Sequence, residues 1–61
     1  MKVGDLVKHP PSGAMGLVTY VFERDVVEVE LVVLGDYDYD LRPGDREIIF
    51  KDKLELVNES G

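Results

Sequence analysis

Asp36, Asp38 and Asp40 alternate with Tyr37 and Tyr39, the densest spacing of chemistry-bearing side chains in this chain of 61 residues. Carboxylates at the first, third and fifth positions of a loop, with Glu47 falling at the twelfth, follow the ligand spacing of a calcium loop. That geometry needs a glycine at the sixth position for its sharp turn. Leu41 stands there instead, Pro43 intrudes, and no helical periodicity flanks the segment. A solvated acidic loop is therefore expected, with weak divalent-cation binding as the alternative, and no cofactor or metal is assigned.

The same segment could serve recognition. Tyr37 and Tyr39 offer rigid aromatic area with a polar tip, which interfaces favour, and Asp38 and Arg42 add charge beside them. The competing reading has one or both tyrosines closing the open end of a barrel.

Catalysis finds less support. His9 is the single histidine, and Ser12 and Ser60 are the only serines. A general base needs a nucleophile and an orienting partner, and no triad can be read from these positions. His9 reads as a surface residue at a strand end. Cysteine is absent, which excludes disulfides, thiolate metal sites and thiol nucleophiles. Neither a dinucleotide fingerprint nor a Walker pattern occurs. The expectation is a chain that is not an enzyme.

The formal net charge is −6, which repels phosphate backbones and makes nucleic acid a less favoured partner. Lys8, Arg24, Arg42, Arg46, Lys51 and Lys53 are scattered, and Arg42 and Arg46 are expected to pair with Asp40 and Asp45. The longest apolar run, 31–34, is too short to span a membrane. Charge arrives too early after Met1 for a signal peptide, and the lack of disulfide staples favours a cytoplasmic setting.

The elements that would carry these residues are all strands. Val, Ile, Leu, Tyr and Phe cluster in short runs punctuated by Gly, Pro and Asp. The spacing predicts strands over 3–9, 15–22, 26–34, 46–51 and 54–57, with one 3₁₀ turn at 52–53 and a frayed tail at 58–61. Pro10 and Pro11 cannot donate to a ladder and end the first strand. Gly13 suits a turn with positive φ, Gly16 a bulge or close backbone crossing, and Pro43-Gly44 a turn.

The third strand alternates most clearly, placing Val27, Val29, Leu31 and Val33 toward the core and Glu28 and Glu30 outside. Ile48 and Phe50 are expected inward. The second strand has two registers, one turning in Leu17, Thr19 and Val21, the other Val18, Tyr20 and Phe22. The second is favoured, leaving Leu17 and Val21 exposed as contact residues. In either register apolar side chains stay outside, because a barrel this small cannot bury both faces of a strand.

Gly4-Asp5-Leu6-Val7, Gly13, Gly16-Leu17-Val18, the 26–34 strand and the closing Leu54-Glu55-Leu56-Val57 together resemble SH3-like barrels of the KOW type. The chain is also similar to very small SH3-like proteins of tailed phages and bacteria. The resemblance implies an all-β fold, a five-stranded, partly open barrel over residues 1–57. For KOW domains it further implies contact with RNA, ribosome or polymerase through loops. The loop before Gly16 reads Pro10-Pro11-Ser12-Gly13-Ala14, without the Lys or Arg of basic KOW binders.

The reading reached is a small protein–protein interaction module. The alternatives are a KOW-like nucleic-acid or ribosome-associated module and a homo-oligomeric structural unit.

Overall fold

The computed structural model describes residues 1–37 and 40–57. Its strands are β1 (Leu6–His9), β2 (Ala14–Glu23), β3 (Val26–Val33), β4 (Arg46–Phe50) and β5 (Glu55–Leu56), with a 3₁₀ turn at Lys51–Lys53 between the last two. They form one antiparallel sheet in the order β4-β3-β2-β1-β5. The fold is all-β, and the sheet is curled around its core without β4 and β5 pairing.

The interior is aliphatic. Val7, Ala14, Val18, Val27, Val29, Leu31, Ile49 and Leu54 are buried together, with Met1, Leu34, Tyr37 and Leu41 packed against them. Val27, Val29 and Leu31 point inward, as the alternation of the third strand predicts. No buried side chain among the described residues is polar or charged. Hydrophobic burial alone therefore holds this core, with the ladders satisfying the backbone.

Three register shifts bend the sheet, and two of them overturn expectations drawn from plain alternation. Val18 pairs with Val29, but Tyr20 then pairs with Glu28, so Thr19 is an extra residue on β2. This bulge turns Tyr20 to the outer face. The favoured register, with Tyr20 and Phe22 in the core, is therefore wrong beyond Val18. Tyr20 is 54% exposed and Phe22 47%. Thr19 fixes the bulge by donating from Oγ1 to Glu28 Oε1 at 2.8 Å.

A second shift lies between Met15 and Gly16, which pair with Val33 and Leu31, leaving Val32 extra on β3. Val33 then stands opposite Met15, which also pairs with exposed Lys8, so Val33 faces outward rather than into the core. The third shift, between Val21 and Glu23, takes up the misfit of the tight Arg24–Asp25 turn, where no residue has positive φ. Gly16 is buried between Val7 and Leu31 on the neighbouring strands, at the close crossing its position suggests.

The phase of β4 is also the reverse of the expectation. Ile49 pairs with buried Val27 and is itself buried, whereas Ile48 and Phe50 are 62% and 61% exposed. In an unbroken Ile-Ile-Phe run either phase is possible on sequence grounds, and the register against β3 decides it.

Candidate interaction surface

The exposed apolar side chains of β2 and β4 converge on one surface. Phe50 pairs with Val26, Ile48 with Glu28, and Glu28 in turn with Tyr20. Partners in an antiparallel ladder project to the same side, so these residues share the outer face of the sheet. Tyr20 and Phe22 meet edge to face, ring centroids 4.7 Å apart. That contact preorganises two exposed rings as one apolar ridge. Leu17, opposite Leu6 and Glu30, extends the same face. An open groove lined by Asp25, Phe50, Lys51 and Asp52 lies at its end.

Charge around the ridge is mainly negative. Glu23, Glu28 and Glu30 pair with Val26, Tyr20 and Leu17 respectively. Arg46 contacts Glu30, its Nε 3.6 Å from Oε1, rather than the Asp45 expected from sequence. Both side chains of that pair are solvated, so it adds little to stability.

The contact residues expected from sequence are dispersed. Leu17 and Val21 are both exposed, but Val21 stands opposite buried Val27, in phase with the core. Tyr37 is half-buried against the core and edge-on to His9, with centroids 5.0 Å apart. Arg42 is exposed, and its main-chain N–H donates to Asp45 Oδ2 at 3.0 Å across the Pro43-Gly44 turn. Asp38 and Tyr39 lie outside the described residues. Among the described residues no three carboxylate or imidazole groups converge as metal ligands. No helix among them is long and apolar enough to cross a membrane.

His9 is not a free surface residue. Its Nδ1 lies 2.7 Å from Ser12 Oγ, and that oxygen accepts the Ala14 N–H at 3.1 Å. The hydroxyl thus stands in for a backbone group in the turn after Pro10-Pro11. The available signal was the separation of three residues across a proline pair. Ser12→Ala is expected to destabilise the domain by about 1 kcal/mol in urea unfolding, the usual cost of losing a half-buried hydrogen bond.

Compared with protein-family models, curated proteins and solved structures, the chain matches none.

Proposed function

We propose that this chain is a small protein–protein interaction module that receives its partner on the outer face of the sheet. One observation carries this reading. Tyr20, Phe22 and Phe50 are exposed together on that face, while the buried core contains only aliphatic side chains. Folding stability alone would favour placing such large apolar groups inside. Exposed aromatics, of which Tyr20 and Phe22 are in ring contact, are the anchor type that dominates interface energetics. The glutamates around the ridge favour a partner with an apolar centre and a basic rim, whose association slows as salt rises.

The barrel is read as SH3-like, of the KOW type, on the glycine and valine spacing of residues 4–18 and 26–34 and the closing 54–57 segment alone. That resemblance, with the absence of cysteine, is the ground for reading it as a phage or bacterial accessory protein acting in the cytoplasm. A nucleic-acid partner is disfavoured by the net charge of −6 and by the acidic surround of the aromatic ridge.

The test compares immobilised wild-type domain with Tyr20→Ser/Phe22→Ser in nuclease-treated and untreated bacterial lysate. The expected result is a discrete protein held by the wild type in both lysates and reduced at least about tenfold by the double substitution, as loss of anchor residues implies. Retention that disappears with nuclease would establish the nucleic-acid reading instead. Undiminished capture by the double variant would remove this face from the binding site.

A further inference from the structure

The β4 edge turns a row of backbone groups away from the sheet. Lys51 N–H donates to Asp25 O, and Leu31 N–H donates to Asp45 O, at 2.7 and 2.8 Å. Together with the pairing of Glu47 with Val29 and Ile49 with Val27, these bonds fix the ladder's phase. Odd-numbered residues of β4 bond to β3. Arg46, Ile48 and Phe50 direct their N–H and C=O groups away from the sheet, and their side chains lie on its outer face. This edge spans five residues without proline or bulge, whereas the opposite edge, β5, has only two. Long flat edges with apolar side chains are pairing sites unless they are blunted.

We propose that β4 pairs antiparallel with β4 of a second copy about a two-fold axis at Ile48. This symmetric register lets the N–H and C=O of Arg46, Ile48 and Phe50 all bond across the axis. It sets Ile48 against Ile48 of the second copy and Arg46 against Phe50 of the second copy, all on the outer face. Phe50 lines the open groove with Asp25, Lys51 and Asp52, two carboxylates against one ammonium, so the receiving site is net negative and offers a ring face to the guanidinium. The register also brings Lys51 beside Asp45 of the second copy. Local charge permits the approach. Residues 45–51, which the register brings together, carry Arg46 and Lys51 against Asp45 and Glu47, two minus two or 0, although the whole chain is −6.

A five-residue edge falls short of the roughly 800 Å² per partner of a standard interface, so the association is weak and concentration-dependent. Pairing leaves Tyr20 and Phe22 uncovered and joins two outer faces into one continuous sheet. It therefore goes beyond the protein-binding reading and does not depend on it.

Sedimentation equilibrium of the full chain up to millimolar concentration tests the pairing. The wild type is expected to rise from 6.9 kDa toward twice that mass. Ile48→Lys, which sets two like charges on the axis at an exposed position, is expected to stay at the monomer mass with an unchanged circular dichroism spectrum. Arg46→Glu, an independent probe at another exposed position, is expected to weaken dimerisation at least about tenfold, one close charge contact being worth that much. A wild type that remains at 6.9 kDa throughout overturns the proposal. So does a dimer that survives Ile48→Lys but is abolished by Tyr20→Ser/Phe22→Ser.

Discussion

Gly16→Ala is expected to cost this domain about 3 kcal/mol or more of stability. An added Cβ would stand 2.6 Å from Val29 Cγ1 and closer still to the Glu30 carbonyl oxygen. The carbonyl belongs to the β2–β3 ladder and cannot swing aside without breaking it. Overpacking a well-filled core costs about 1–3 kcal/mol, and a clash with backbone belongs at the upper end of that range or above. At roughly 0.05–0.15 kcal/mol per residue, a domain of this length holds only about 3–9 kcal/mol in total. The control is Gly13→Ala. Gly13 has φ +78° but nothing within 4 Å of the added carbon, so only backbone strain of about 1 kcal/mol applies. Urea midpoints should fall far for Gly16→Ala and slightly for Gly13→Ala. Equal midpoints would mean that β2 and β3 do not cross closely at Gly16.

The second large effect is an inversion of the usual order of side-chain size. Leu31 is 1% exposed at the centre of the core, and Leu31→Ala is expected to cost about 2–5 kcal/mol. Phe22→Ser removes a larger apolar group from the outer face and is expected to cost under about 1 kcal/mol, as surface changes do. Chemical denaturation of both variants reads the difference directly. A Phe22→Ser variant as unstable as Leu31→Ala would mean that the ring is buried. The bulge at Thr19 would then be wrong, and with it the aromatic face.

This contrast marks where the sequence was legible. The strands near their observed positions, a turn within 23–25, the 3₁₀ turn and the inward set Val27, Val29 and Leu31 follow from turn residues and alternation, with Glu23 belonging to β2. These signals are local, and the chain obeys them locally. The crossing at Gly16 was also readable, since a lone glycine inside a valine-rich strand signals close approach. Tyr20, Phe22, Val33, Ile48 and Phe50 were not placed correctly. Alternation carries a phase forward only until a residue is inserted, and Thr19 and Val32 look like ordinary strand residues. Ile48-Ile49-Phe50 has no alternation from which to read a phase. The aromatic face was foreshadowed only by surplus, because β2 and β4 hold more apolar side chains than one side of a small barrel can bury. Tyr37 was readable either way, and its packing against the core makes it a structural support as well as a loop residue.

The most direct test of the outer face as an interaction surface is site-specific photocrosslinking. A benzophenone side chain is placed at position 22, and a control at exposed position 11, in the β1–β2 loop at the opposite end of β2. On irradiation in nuclease-treated lysate, the position 22 probe is expected to give a discrete protein adduct that the control does not. No adduct from position 22, or the same adduct from both positions, would contradict the assignment of this face to partner binding.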